Sequence, residues 1–250
     1  MAQDNIINMP QPVKRVCLWS GPRNISTALM YSFAQREDTT VVDEPLYAHY
    51  LTSTDADEYH PGAKEVISNQ ENNGQKVVDE VIFGDYETPI VFFKHMAHHL
   101  VDLDWSFMKD TVNVILTRDP HEMLPSYARQ VAKPEMRDVG YARQLELLKY
   151  LRSIGQNPPV IDSRKILEYP KSRLRELCDS IGIPFNDAML HWPAGSRPED
   201  GIWAKYWYHN VHKSTGFKSY SPKTEPFPEE LKELLEECTE IYEELIRDWQ

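Results

Sequence analysis

Five short runs of the chain are predominantly apolar: "RVCLW" at 15–19, "TTVVD" at 39–43, "PIVFFK" at 89–94, "VNVIL" at 112–116 and "PVID" at 159–162. Strict alternation would mark strands with one wet face. Near-continuous apolar runs mark strands covered on both faces, as in a parallel sheet. Between them, helical spacing recurs at 26–36, 62–72, 75–83, 120–131 and 137–154. Strand–helix alternation of this kind predicts an α/β fold, a doubly wound and mainly five-stranded parallel sheet flanked by helices. Ligands in such sheets lie beyond the C-terminal ends of the strands. The polar residues directly after each strand are therefore the candidates for chemistry.

The second half reads as largely helical. "SRLRELCDSIG" ends at Gly182, a helix C-cap, with Pro184 shortly after. In the last segment Leu231, Leu234, Leu235, Cys238, Ile241, Tyr242, Leu245 and Trp249 form one apolar stripe, and the acidic residues opposite form a solvated face. No repeat divides the chain, and its 250 residues suit a single domain, 1–250.

Charge narrows the partners. Lys plus Arg is 27 against 39 for Asp plus Glu, a net charge of −12. Such a field repels polyanions, so neither nucleic acid nor an anionic membrane is expected as a partner. A local basic pocket for one small anion remains compatible with it. Cys17, Cys178 and Cys238 are widely spaced and odd in number, which suits reduced thiols in the cytoplasm. The opening "MAQDNIINMPQPVKR" lacks the apolar core of a signal peptide, and no run approaches the ~18 residues of a membrane span. Cytoplasmic residence is the expectation, with oligomeric state left open, a homodimer included.

The first strand is followed by Ser20-Gly21-Pro22-Arg23-Asn24-Ile25-Ser26-Thr27. Gly21 allows a sharp turn, the amides at the helix start can face an anion, and Arg23 adds a permanent positive charge. The plain alternative is a strand–helix turn with serine as N-cap. The nucleotide-binding pattern G-x-x-x-x-G-K-[ST] is missing its lysine. After the second strand, Asp43-Glu44-Pro45-Leu46-Tyr47 places a carboxylate beside that loop, as a general base, or else as a helix N-cap or a structural partner of an arginine. After the third, Lys94-His95-Met96-Ala97-His98-His99 offers three histidines in five residues. Their spacing is poor for zinc, His95 is the one placed to reach a substrate, and His98 and His99 read as helix-face residues. After the fourth, Arg118 is followed eight residues later by Ser126.

Together these residues resemble sulfotransferases that use 3′-phosphoadenosine 5′-phosphosulfate (PAPS). In that family a loop P-[KR]-S-G-[TS]-[TS] grips the 5′-phosphosulfate, and "PRNIST" at 22–27 is similar, with Asn24-Ile25 where Ser-Gly is usual. An arginine at a later strand end and a serine eight residues on grip the 3′-phosphate, as Arg118 and Ser126 are spaced. The resemblance covers about residues 14–220. It implies a P-loop NTPase-like sheet and a sulfuryl donor bound by Gly21, Pro22, Arg23, Asn24, Ile25, Ser26, Thr27, Arg118 and Ser126. A loop holding Ser214, Thr215 and Gly216 would close over the nucleotide. No metal is implied, and the product would be adenosine 3′,5′-bisphosphate (PAP). One branch of the family uses histidine in K-T-H at the third strand; here the order is Lys94-His95, shifted by one. Another uses glutamate after the second strand, which "DEPLY" matches at Glu44, the favoured base. Arg23 and Lys94 would neutralise charge at the reacting centre. The acidic protein favours a small-molecule acceptor over a sulfated polysaccharide. The acceptor pocket is expected between 46–60 and 191–210, where Tyr47, Tyr50, Trp192, Trp203, Tyr206 and Trp207 concentrate, two or three of them facing it. The alternatives are a P-loop kinase or NTPase, or a non-catalytic nucleotide-binding module of the same fold.

Overall fold

The computed structural model describes residues 12–222 and 225–247; the opening residues 1–11 and Trp249 lie outside them. The five apolar runs are strands: β1 Lys14–Ser20, β2 Thr39–Asp43, β3 Ile90–Met96, β4 Val112–Thr117 and β5 Val160–Asp162. All neighbours pair in parallel, in the order β2-β3-β1-β4-β5. β1 is central and the chain winds outward from it to either side.

The pleat divides the core in two. Val16 and Leu18 of β1, with Phe92 of β3 and Val114 and Leu116 of β4, pack on helix α1 (Ser26–Phe33) through Leu29, Met30 and Phe33. Cys17 and Trp19, with Val91, Phe93 and Ile115, pack on the opposite side against the helices Tyr141–Ser153 and Lys232–Ile246. Each strand thus supplies alternate residues to two buried faces, which is why its sequence is apolar without a break. Cys17, Cys178 and Cys238 are buried and unpaired thiols.

Several helices are shorter than their patterns. α1 stops at Phe33, and 137–154 divides at Gly140, whose φ of 83° ends one short helix and starts the next. The segment 75–83 winds as a π-helix over Val77–Ile82. Gly182 closes the helix Pro170–Ser180 at φ 66°, with the Ile183 amide returning to the Cys178 carbonyl at 2.9 Å. Helix α2 (Tyr47–Ser53), directly after β2, has no clear apolar period to announce it.

Candidate active site

A cavity of about 360 Å³ opens above the C-terminal ends of β2, β3, β1 and β4. The loop after β1 forms one wall. Gly21 is obligatory there, because a Cβ would stand 2.9 Å from the Val139 carbonyl oxygen. Asn24 pins the loop to the sheet, its side-chain amide donating to the Leu116 carbonyl at 3.1 Å. Arg23 and Ile25 both take left-handed backbone, φ 59° and 61°. Ile25 occupies the N-cap of α1 and makes no side-chain capping bond. The turn is therefore not an ordinary serine-capped helix start, and no side chain of the cap residue occupies the first amides of α1. A β-branched residue in the left-handed region is a genuine outlier and costs on the order of 1–3 kcal/mol.

The two anion grips expected from the sequence meet as one cluster. The Arg23 guanidinium donates to the Ser126 hydroxyl at 3.2 Å and to the Trp207 carbonyl at 3.4 Å. Arg118 donates to the Arg23 carbonyl at 2.8 Å and pairs with Glu122 at 3.1 Å. Burial, then the positive charges of Arg118 and Arg129, push the Arg23 pKa below the ordinary arginine range. Such mutual repulsion marks a site suited to an anion. Ser26, Thr27, Ser214 and Gly216 also border the cavity, while Thr215 is exposed and its carbonyl is used by the Trp192 amide at 3.2 Å.

At the other end stands a buried charge network. Lys94 is fully buried, and its ammonium donates to Asp43 Oδ1 at 3.0 Å, to the Tyr208 hydroxyl at 2.7 Å and to Glu44 Oε1. Tyr208 in turn donates to Asp43 Oδ2 at 2.7 Å and accepts from Trp203 Nε1 at 3.1 Å. Burial disfavours the Lys94 charge, but Asp43 and Glu44 outweigh it and hold its pKa above the usual value. Burial pushes the Glu44 carboxyl up to about 7, opposed by Lys94 and helped by Asp43. Glu44 is also left-handed, φ 39°, held by its amide on the Lys94 carbonyl at 2.8 Å and by Gln70 on its own carbonyl at 2.9 Å. A carboxyl titrating near neutrality beside the cavity can take a proton from a substrate.

His95 is the correction. Alternation along β3 sends it to the opposite face from Lys94, where it is fully buried and stacked on Trp19 at 4.2 Å. Neither of its ring nitrogens has a hydrogen-bond partner, and burial pushes its pKa down to about 3. It is a core residue and not a base. His98 and His99, read as helix-face residues, instead border the cavity. Of the six aromatic candidates for the acceptor pocket, Tyr47 and Trp207 border it; Trp192 packs on Tyr31 beneath α1.

A sulfotransferase-domain family model matches residues 14–246. The chain belongs to the sulfotransferase family. Two Arabidopsis thaliana proteins, branched-chain-amino-acid aminotransferase-like proteins 1 and 2, are 43% and 40% identical to it over 225 residues. That match covers 90% of this chain and 40% of each relative, so the chain spans less than half the length of the curated relatives it matches. Two solved structures share the fold. The sulfotransferase domain from the curacin biosynthetic pathway is 14% identical, with a TM-score of 0.54, covering 92% of this chain and 98% of that one. A sulfotransferase from Alicyclobacillus acidocaldarius is 12% identical, with a TM-score of 0.55, covering 94% and 96%. The family and the fold agree with the five-stranded parallel sheet described above.

In this sulfotransferase chain the sequence reading misses Tyr208, Asp43 as the lysine's anchor, and the histidines at the cavity wall. His60, His98 and His99 gather with Tyr47 and Tyr50 in one ring cluster: His99 stacks on Tyr47 at 4.9 Å, and His60 Nδ1 lies 2.8 Å from the Tyr47 hydroxyl. Burial holds all three histidines neutral, pushing His60 down to about 4, His98 to about 3, and His99 well below its ordinary value. Among the described residues, no helix is long and apolar enough to cross a membrane.

Proposed function

We propose that the protein transfers a sulfuryl group from PAPS to a hydroxyl or amine of a small acceptor. The observation that carries this reading is the placement of Arg23, Arg118 and Ser126 at one end of a single cavity whose other end holds Glu44 and Lys94. The residues suit the donor's two anionic groups. Arg23 and the amides at the start of α1 fit the phosphosulfate, and Arg118 with Ser126 fits the 3′-phosphate, Arg118 sharing its guanidinium with Glu122. The donor, when bound, supplies an activated sulfuryl group on a phosphate leaving group.

Sulfuryl transfer resembles phosphoryl transfer in being limited by positioning and charge stabilisation. A bond forms between the acceptor oxygen or nitrogen and sulfur as the bond from sulfur to the bridging oxygen breaks. Glu44 accepts the acceptor's proton. Lys94, whose three N–H bonds go to Asp43, Glu44 and Tyr208, holds Glu44 in place, while Arg23, Ser26 and Thr27 stabilise the charge that grows on the leaving phosphate. The net charge of −12 favours a small acceptor over a polysulfated chain.

Calorimetric titration with PAP tests the reading against a kinase or NTPase. PAP should bind without magnesium, and ATP with magnesium should bind weakly or not at all. The reverse preference would overturn it.

A further inference from the structure

The reacting end of the cavity depends on a side chain 165 residues away along the chain from the strand end it anchors. Tyr208 comes from the turn after the short helix Ala204–Trp207, and its hydroxyl is buried against Lys94 and Asp43. Three hydrogen bonds converge on that oxygen or leave from it: Lys94 donates to it, Trp203 Nε1 donates to it, and it donates to Asp43. A hydroxyl has one proton and two lone pairs, so its capacity is filled and its orientation fixed. Asp43 is held from a third side by the Gly201 amide at 3.1 Å. The segment around 201–208 therefore locks Asp43 and Lys94 into one geometry, and that geometry sets the ammonium against Glu44.

We propose that Tyr208 is a positioning residue: by fixing Lys94 and Asp43 it determines how readily Glu44 receives the proton of the acceptor. This rests on the reading of Glu44 as the base. Tyr208 borders the cavity, but its hydroxyl is engaged by Lys94, Trp203 and Asp43. It acts through the lysine and the aspartate, and a phenylalanine in its place would leave Lys94 with one acceptor fewer and Asp43 with one donor fewer.

The charged and titratable groups facing Glu44 come from every neighbouring element. Asp43 ends β2, Lys94 stands on β3, Tyr47 begins α2, and Tyr208 closes from the C-terminal side. Asp43 raises the proton affinity of Glu44, whereas Lys94 lowers it. Removing the Tyr208 hydroxyl takes away the proton it donates to Asp43 and leaves that charge less neutralised. The effect raises the proton affinity of Glu44.

The test is a 13C NMR titration of the Glu44 carboxyl, assigned by its absence in Glu44→Gln, with PAP binding measured by calorimetry on the same samples. The wild-type midpoint should lie near 7. In Tyr208→Phe the proton affinity should rise by about threefold or more, half a pH unit, with PAP affinity unchanged. Asp43→Asn should move the midpoint the opposite way, since it removes a negative charge. If Tyr208→Phe does not fold, Trp203→Phe, which removes the N–H bonded to the Tyr208 hydroxyl together with one ring of the indole, should shift the midpoint upward by less. A midpoint unmoved in the folded variants, while wild type binds PAP, would overturn the role of Tyr208 alone. Failure of the wild type to bind PAP would instead overturn the sulfotransferase reading of the site.

Discussion

The two ends of the cavity are built on opposite principles. The end beside α1 is an accumulation of like charge: Arg23 lies among arginines, and its hydrogen bonds go to a hydroxyl and a carbonyl. The end above β2 and β3 is a closed hydrogen-bonded network, with one ammonium shared by two carboxylates and a phenol. Like charges held together gain from an arriving anion, because the ligand relieves repulsion already present in the fold. A closed buried network gains nothing from a further charge and is sensitive to losing any member. In the proposed reaction the first end would bind the donor's anions and the second would hold a proton equilibrium near neutrality.

The contrast is broken most sharply at Glu44. Glu44→Gln keeps the shape but cannot accept a proton, so turnover should fall by ~10²-fold or more while PAP affinity stays nearly unchanged. Paired turnover and calorimetry check this. Normal turnover in the variant would remove Glu44 from the chemistry. Arg118→Ala comes next and acts on the other end. A charge-assisted contact is worth about 1.5–3 kcal/mol, so PAP should bind more weakly by that amount. Adenosine 5′-phosphosulfate, lacking the 3′-phosphate, should lose much less, and an equal loss for both ligands would make Arg118 a structural residue.

A pH series sharpens the same division. Glu44 works as a base only when ionised, so turnover should fall by about tenfold per pH unit below the carboxyl's value of about 7. PAP affinity should follow the ligand's own phosphates, with a second pKa of about 6, and its pH profile should be the same in wild type and Glu44→Gln. Stability follows the same group in the other direction. Folded Glu44 holds its proton more tightly than the unfolded chain does, so its favourable contribution is complete below about 4.5 and is lost as pH rises through about 7. Urea unfolding of wild type and Glu44→Gln at pH 5 and pH 8 should therefore diverge, with the wild type losing more between them.

How much of this was legible in the sequence depended on distance along the chain. The strands, the "PRNIST" loop and the Arg118–Ser126 pair are local patterns, and each falls where its spacing places it. His95 was misread because β3 continues through Met96, two residues past the apolar run. Within a strand, neighbours face opposite ways, so Lys94 and His95 cannot both reach the cavity. Ending the strand at Lys94 left that choice open. His98 and His99 reach the cavity through a 3₁₀ turn over Ala97–His99, too short to leave a periodic signal. Tyr208 and Asp43 meet only in the folded chain, and nothing local in "KYWYHN" distinguishes the tyrosine that anchors the lysine from its neighbours.

The smallest expected effect belongs to Ile25. Truncating a fully buried isoleucine costs about 2–5 kcal/mol, and Ile25, partly buried at the cavity wall, stands at or below the low end of that range. Here glycine would also release left-handed strain of on the order of 1–3 kcal/mol, at φ 61°. The two effects oppose each other, so Ile25→Gly should cost less in urea unfolding than the ~2–5 kcal/mol of an unstrained buried site. A loss of the ordinary size would mean that the loop carries little strain.

The strand order has a practical consequence for inhibitor design. Glu44 follows β2 and Arg118 follows β4, and the order β2-β3-β1-β4 puts three strand spacings between them. At ~4.8 Å per spacing the sheet separates the two by about 14 Å. That length is set by backbone hydrogen bonding and not by any loop that substitution could lengthen. For the proposed reaction, a bisubstrate compound joining a 3′-phosphorylated nucleoside to an acceptor mimic must bridge strand ends about that far apart, less the inward reach of the Glu44 and Arg118 side chains. A tether much shorter should bind through its nucleoside half alone, and resistance by loop mutation could alter which acceptor mimic is preferred but not the spacing between the two halves.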